Sequence, residues 1–184
     1  MIYPAEHQTE LDLAAQQLGT LLLETGQKIV FAESCTCGLL AAKLGEIPGI
    51  SAVLCGSAVT YQNETKHAWL NIDNGILIDP GPVSHETAEL MLQGVLRSTP
   101  HADVAVGVTG FLGPDSASLL DGQVYYGILF RREFSSPRIE AVRLPTSYPE
   151  NYAGEKSLRL QRRYDVSVRI FQLAYAELKR ESER

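Results

Sequence analysis

Three short segments carry residues whose types and spacing could support nucleophilic catalysis or ligand binding, and residues 32–38 (AESCTCG) form the first of them. This segment runs from the end of a β-prone stretch into a stretch with helical periodicity. Backbone N–H groups at a helix start bind anions and can hold a developing oxyanion, so Ser34 is a candidate nucleophile. The alternative is that Ser34 simply caps the helix, which is the commonest role of a serine at this position.

The second segment, residues 59–66 (VTYQNETK), places Tyr61 at a strand end and Lys66 in the helix that follows. A serine hydroxyl is a poor nucleophile until a base takes its proton. Fewer than about one in a thousand free lysines is neutral at pH 7, but desolvation lowers the lysine pKa and makes Lys66 a candidate base. The alternatives are a solvated surface charge for Lys66 and an edge aromatic for Tyr61.

The third segment, residues 108–114 (VTGFLGP), follows the apolar pattern of a buried strand. Open α/β sheets bind ligands outside the carboxyl ends of their strands, and glycine lets the backbone approach a ligand closely. Thr109 and Gly110 are therefore candidates for contact with a ligand. The same residue types are also common in any turn that leaves a strand.

The elements that must position these residues follow from periodicity and from Gly, Pro and capping signals. Helices are predicted over 9–26 (with Thr9 and Gly26 as caps), 34–46, 64–70, 85–97 (capped by Ser84) and within 149–180, where a stripe holds Tyr164, Val168, Phe171, Tyr175 and Leu178; strands are predicted over 28–32, 52–61, 103–108, 124–130 and 138–144. Residues 1–8 read as a loose leader, and 71–83 and 110–121 as loops. The alternation predicts one layered α/β domain with a mixed sheet and helices on both faces.

Composition limits the classes of function. The chain has 184 residues and a formal net charge of −6, which argues against a non-specific nucleic-acid binder. No apolar run approaches the length of a membrane span and no secretory signal is visible, so we expect a cytoplasmic protein with no membrane partner. No dinucleotide-binding or P-loop motif occurs.

Cys35, Cys37 and Cys55 are too few for a disulfide scaffold, and the C-x-C pair has no second pair at zinc spacing. We therefore predict no metal and no cofactor. A catalytic Cys–His pair remains open from the sequence alone.

Taken together, AESCTCGLLAAKL, PGISAVLCGSAVTYQNETK, GPVSHETAELM and VAVGVTGFLGP resemble the C-terminal domain of the CinA (competence/damage-inducible) proteins, across about residues 11–178. Stand-alone members of that family include nicotinamide-nucleotide amidases. The resemblance implies a three-layer α/β/α sandwich and hydrolysis of the carboxamide of nicotinamide mononucleotide to nicotinate mononucleotide and ammonia. It also implies a small-molecule nucleotide substrate and a homo-oligomer.

The resemblance places the family's catalytic serine, tyrosine and lysine on Ser34, Tyr61 and Lys66. It assigns substrate contacts to a further set of positions: Thr36, Cys37 and Gly38 with their N–H groups, Thr109 and Gly110, and Arg163 for the phosphate. Lys66, directly or through Tyr61, would deprotonate Ser34.

Three departures from the family pattern concern the substrate side of the site. Cys37 stands where the family has the first of two glycines, and residues 115–122 replace a longer glycine-rich loop that ends in Lys-Pro-Val-Gly. Residues 160–163 replace the usual approach to the last helix. Two alternatives follow, namely a catalytically silent member that binds a nucleotide-like ligand or a protein partner, and an amidase with another substrate.

Overall fold

A computed structural model describes residues 9–113, 119–134, 136–148 and 157–183. In this part of the chain the elements are α1 (Glu10–Thr25), β1 (Ile29–Glu33), α2 (Leu39–Gly45), β2 (Leu54–Val59), α3 (Asn63–Leu70), α4 (Asn74–Ile78), α5 (His85–Ser98), β3 (Val104–Gly110), β4 (Gln123–Phe130), β5 (Arg138–Arg143) and α6 (Leu158–Ser182). The predicted leader at 1–8, most of the loop at 115–121 and the start of the predicted helical region at 149 lie outside the described residues.

The five strands form one mixed sheet in the order β2-β1-β3-β4-β5. β1 is parallel to both of its neighbours, whereas β4 is antiparallel to β3 and to β5. Because β1 lies between β2 and β3, the carboxyl ends of these three strands meet at one edge of the sheet. The chain changes its direction of winding there, which is where open α/β sheets bind ligands.

Side chains alternate across the sheet and build one apolar core on each face. Phe31 belongs to the core formed with α1, α2 and α6, and its neighbour Ala32 belongs to the core formed with α3, α4 and α5. Burying a side chain the size of Phe31 stabilises the fold by about 1.5–3 kcal/mol. The predicted three-layer α/β/α architecture is confirmed.

Several predicted caps and helix faces are present. The Thr9 side chain accepts the Asp12 N–H in a capping box, Gly26 ends α1 with φ 68°, and Ser84 caps α5. On α6 the predicted stripe packs into the core: Val168, Phe171 and Leu178 are buried, and Tyr164 and Tyr175 are partly buried beside them. None of the described helices is both long and apolar enough to cross a membrane.

Two predicted elements differ from the structure. The helix expected from residue 34 begins at Leu39, because Cys37 and Gly38 have left-handed backbones, with φ 53° and 84°, that a helix does not accommodate. The region 71–83, predicted as mostly loop, contains α4, whose start is capped by the Asp73 carboxylate and whose Leu77 is buried.

Candidate active site

Ser34 and Lys66 meet at the carboxyl edge of the sheet. Glu33 ends β1 in parallel register with Val59 of β2, so Ser34 leaves the sheet beside the segment that leads into α3. Lys66 lies one turn into α3 and points inward, with its Nζ 3.1 Å from Ser34 Oγ. The exposed fraction is 1% for Lys66 and 7% for Ser34. Lys66 is thus close enough to Ser34 for the direct proton transfer that the resemblance implies.

The neutral form of Lys66 is more accessible than that of a free lysine. Burial lowers the pKa of Lys66 to about 8, which leaves about one amine in ten neutral at pH 7. Its Nζ donates to Thr60 O at 2.8 Å and to Tyr61 O at 3.4 Å, and among the described residues no carboxylate pairs with it. A neutral amine has two N–H bonds for these carbonyls and one lone pair for the Ser34 hydroxyl. This geometry suits a general base.

Tyr61 meets Lys66 through its backbone carbonyl and not through its phenol. The phenol belongs to a side chain that is 52% exposed, and its oxygen accepts a hydrogen bond from Arg159. Because Ser34 contacts Lys66 directly, proton transfer needs no relay through the Tyr61 hydroxyl. The structure thus brings together all three predicted catalytic residues but separates the Tyr61 phenol from the Ser34–Lys66 contact.

Ser34 opens a tight turn and does not cap α2. The N-cap of α2 is Gly38, which has no side chain to offer, and the Ser34 carbonyl accepts the Cys37 N–H at 3.0 Å. Within the described residues, no hydrogen bond occupies the N–H of Thr36 or of Gly38. These two N–H groups are the candidates for holding an oxyanion. Thr36 contributes by its backbone alone, since its buried hydroxyl donates to Glu33.

The cysteines near the turn differ in exposure. Cys37 is exposed, and its left-handed backbone is a conformation that favours glycine. Cys35 is buried, and burial raises the pKa of its thiol to about 12, so it stays a thiol and gives no support to a cysteine nucleophile. The described residues contain no cluster of three His, Cys, Asp or Glu side chains that could hold a metal ion.

Thr109 and Gly110 end β3 at the predicted edge, but their contacts are to protein. The buried Thr109 hydroxyl donates to Pro82 O at 2.6 Å and ties β3 to the segment before α5. A Cβ on Gly110 would lie 2.6 Å from Val124 Cγ2, so glycine is needed there for strand packing. Strand packing is thus one reason for a glycine at this position, and the contact of Gly110 with a ligand stays a prediction.

Arg159 of α6 contacts a predicted site residue, whereas the predicted phosphate ligand, Arg163, makes no such contact among the described hydrogen bonds. Arg159 donates to Gly113 O at 2.8 Å and to the Tyr61 hydroxyl. Arg163 lies one turn farther along α6, and its buried Nε has no hydrogen-bond partner in the part of the chain that the structure describes. The family resemblance assigned the phosphate-binding arginine to Arg163. The chain departs from the family pattern just before this helix, so the sequence does not specify which arginine of α6 occupies the family's position.

A third arginine of α6, Arg162, is fully buried and contacts the segments on either side of the loop after β3. Its guanidinium binds both carboxylate oxygens of Asp121, at 2.7 and 2.8 Å, and donates to Leu112 O at 3.2 Å. The arginine therefore fixes both ends of the loop that sequence analysis identified as shortened.

The sequence is similar to known proteins over most of its length. Among curated relatives, a putative competence-damage inducible protein of Halalkalibacterium halodurans is 37% identical over 145 residues, which are 78% of this chain and 33% of that protein. A CinA-like protein of Dictyoglomus turgidum is 41% identical over 117 residues, which are 62% of this chain and 28% of that protein. The chain thus spans about a third of the length of these curated relatives.

Solved structures share the fold, and a family model matches the sequence. The competence/damage inducible protein CihA of Agrobacterium tumefaciens matches with a TM-score of 0.79 and 29% identity, covering 96% of this chain and 98% of its own. A CinA superfamily protein of Klebsiella pneumoniae shares the fold with a TM-score of 0.80 at 21% identity, covering 94% and 99%. The model of the CinA C-terminal domain matches residues 11–147. The chain therefore belongs to the CinA C-terminal domain family, as its four motifs predicted.

Proposed function

We propose that this protein is an amidohydrolase in which Ser34 attacks a linear amide and neutral Lys66 accepts the serine proton. The observation that carries the proposal is the 3.1 Å contact between Lys66 Nζ and Ser34 Oγ in a buried setting without a carboxylate partner among the described residues. A charged lysine could not accept a proton, whereas this lysine is held by two carbonyls and loses its proton at a lowered pKa.

The reaction would proceed in two stages. Ser34 Oγ gives its proton to Lys66 and bonds to the amide carbon, while the carbonyl oxygen becomes an oxyanion beside the N–H groups of Thr36 and Gly38. The carbon–nitrogen bond then breaks, and Lys66 returns the proton to the leaving nitrogen, which departs as ammonia. In the second stage Lys66 takes a proton from water, the resulting hydroxide attacks the acyl-enzyme, and Ser34 leaves with that proton.

The family resemblance suggests nicotinamide mononucleotide as the substrate and nicotinate mononucleotide as the product. The structure supports an anionic substrate, because Arg159 lies beside Tyr61 and has no carboxylate partner among the described residues. The carbonyl and the phenol that this guanidinium binds are uncharged and do not neutralise it. Its positive charge is therefore available to bind a phosphate oxygen. In this proposal Arg159 replaces Arg163 as the residue that meets the phosphate.

Ammonia release from nicotinamide mononucleotide tests the proposed function. Wild-type protein should release ammonia, and Lys66→Ala should reduce the rate about 10²–10⁴-fold. Lys66→Arg should be no better, because guanidinium stays protonated. Lys43→Ala, which changes a lysine paired with Asp12 and Glu46, is the matched control and should keep the wild-type rate.

The two alternatives give different results in the same assay. An amidase with another substrate would release ammonia from other linear carboxamides but not from the nucleotide. A catalytically silent member would release none from any carboxamide while binding nicotinamide mononucleotide or a protein. The predicted homo-oligomer stays a prediction that light scattering on the purified protein can test.

A further inference from the structure

Glu33 is a fully buried carboxylate directly before Ser34, at the end of β1. Its two oxygens accept four hydrogen bonds from three parts of the fold. Oε2 accepts from the Thr36 hydroxyl at 2.9 Å and the Leu40 N–H at 3.1 Å. Oε1 accepts from the Ala41 N–H at 3.1 Å and the Ser57 hydroxyl at 3.0 Å. Each oxygen thus holds one backbone N–H of α2 and one hydroxyl.

These contacts satisfy N–H groups in the first turn of α2 that an N-cap side chain would otherwise satisfy. The first N–H groups of any helix lack partners within the helix, and a polar side chain at the N-cap usually satisfies one of them. Here the N-cap is Gly38, so α2 receives its acceptor from β1 instead. The Glu33 carboxylate therefore links the first turn of α2 to β1 and, through Ser57, to β2.

The turn that carries Ser34 is consequently fixed at both ends. At its start the Ser34 N–H donates to Val108 O at 3.1 Å, and the Glu33 carbonyl accepts the Thr60 N–H at 2.8 Å. At its other end the Glu33 side chain holds Thr36 and the beginning of α2. A turn fixed in this way can retain the left-handed Cys37 and leave the N–H groups of Thr36 and Gly38 without a hydrogen-bond partner among the described residues.

We propose that Glu33 is a positioning residue for the nucleophile: its carboxylate sets where Ser34 Oγ and the N–H groups of Thr36 and Gly38 stand relative to Lys66. The inference rests on the proposed function, since it concerns the placement of the same serine. Glu33 itself makes no contact with Lys66 or with Ser34 Oγ among the hydrogen bonds of the described residues. It acts through the backbone that it anchors.

Glu33→Gln is the informative substitution. Whichever way the amide is turned, its NH₂ group faces either the Leu40 or the Ala41 backbone N–H, because each carboxylate oxygen accepts one of them. Because the amide NH₂ and the backbone N–H are both donors, one hydrogen bond between residue 33 and α2 is lost. The volume of the side chain stays almost unchanged. Ser57→Ala is the matched control, since it removes one hydroxyl from the same carboxylate and leaves both N–H anchors in place.

A fluorophosphonate probe measures the placement of Ser34 without any assumption about the natural substrate. In the labelling step Ser34 Oγ bonds to phosphorus, its proton passes to Lys66, and the phosphorus–fluorine bond breaks to release fluoride. We expect Glu33→Gln to remain folded and to label Ser34 about 10²-fold more slowly, the scale typical of small misplacements of reacting groups. With nicotinamide mononucleotide, kcat should fall to a similar extent while KM stays within about twofold, and Ser57→Ala should stay near the wild-type values.

Several results would overturn the inference. One is a folded Glu33→Gln protein that labels at the wild-type rate, and another is a change confined to KM. Should Glu33→Gln fail to fold, Thr36→Val removes the hydrogen bond by which the carboxylate holds the Ser34 turn itself, whereas Ser57 lies on β2 outside that turn. Labelling of Thr36→Val at the wild-type rate would count against the inference equally. Wild-type protein that is not labelled at Ser34 would instead refute the proposed function, and the inference with it.

Discussion

Lys66 Nζ lies 3.1 Å from Ser34 Oγ although 32 positions separate the two residues in the chain. β1 delivers the serine and the first turn of α3 delivers the lysine, so the pair exists because β1 and β2 are neighbours in the sheet. Burying an amine without an opposite charge destabilises a fold, and such arrangements are concentrated at functional sites. The contact therefore favours catalysis over a purely structural role for Lys66.

Ser34→Ala should abolish turnover with little effect on stability. The Ser34 side chain does not cap α2, so its removal should change the free energy of unfolding by less than about 1 kcal/mol. Ammonia release and urea denaturation on the same preparation check both parts. A variant that loses stability but keeps turnover would assign Ser34 a structural role and refute it as the nucleophile.

Cys37→Gly should stabilise the protein. Cys37 has φ 53°, a conformation that costs a residue with a Cβ about 1–2 kcal/mol, whereas glycine loses about 0.5–1 kcal/mol of chain entropy. The net gain in unfolding free energy should lie between about 0 and 1.5 kcal/mol, read from thermal and urea denaturation. Cys55→Gly, in β2 at a position without positive φ, should destabilise the protein. Equal losses in both variants would show that Cys37 is not strained.

Lys66 should make the free energy of unfolding change with pH in the alkaline range. Its pKa is about 8 in the folded protein against 10.5 for the unfolded chain, so the unfolded state binds more protons between these values. Stability relative to Lys66→Met should therefore rise from pH 8 to pH 10.5, by about 3 kcal/mol at about 1.36 kcal/mol per pKa unit. Urea denaturation across this range measures the difference.

Lys43→Met is the control for that measurement. Burial opposes the charge of Lys43, but its hydrogen bonds to Asp12 and Glu46 outweigh burial and raise the pKa of Lys43. The stabilisation from Lys43 is thus complete below its ordinary pKa and gives no rise between pH 8 and 10.5. A flat difference between wild type and Lys66→Met would contradict the lowered pKa of Lys66.

Asp121→Asn should be strongly destabilising. The variant leaves the fully buried Arg162 guanidinium without its charged partner. Breaking a wholly buried pair costs about 3–5 kcal/mol, and the partly exposed Asp121 carboxylate places this pair towards the lower end of that range. The hydrogen bond from Arg162 lowers the pKa of the Asp121 carboxyl, so this stabilisation is complete above the ordinary pKa of 3.8 and is lost as the pH falls through the lowered value. Glu46→Gln, in an exposed pair, should cost less than about 1 kcal/mol. Similar costs for the two variants at neutral pH would contradict this account.

The sequence predicted much of the fold because its signals are local. The Thr9 and Ser84 caps, the α6 stripe and the apolar strands follow from periodicity and capping preference, and the structure confirms them. The start of α2 was misplaced because serine and threonine before an apolar run are typical of a helix cap. The left-handed backbone at position 37 could not be predicted from the residue type, because cysteine has a Cβ and rarely adopts this conformation.

Less of the candidate site could be predicted from the sequence, because several of its contacts join elements that are far apart in the chain. Ser34 and Lys66 could be paired through the family resemblance and the chemistry of a serine that needs a base. The role of Glu33 could not, because its partners come from α2 and β2 and its burial depends on the packed sheet. The choice between Arg159 and Arg163 depends on how α6 approaches the sheet edge, which the sequence near its start does not specify.

The pH dependence of kcat/KM for nicotinamide mononucleotide tests the central claim most directly. The free enzyme must hold Lys66 neutral to accept the Ser34 proton, so kcat/KM should rise with pH, pass a midpoint near the pKa of about 8 and reach a plateau above it. Ser34→Ala should release no ammonia at any pH. A rate that is independent of pH through this range, or ammonia release that persists in Ser34→Ala, would contradict the account.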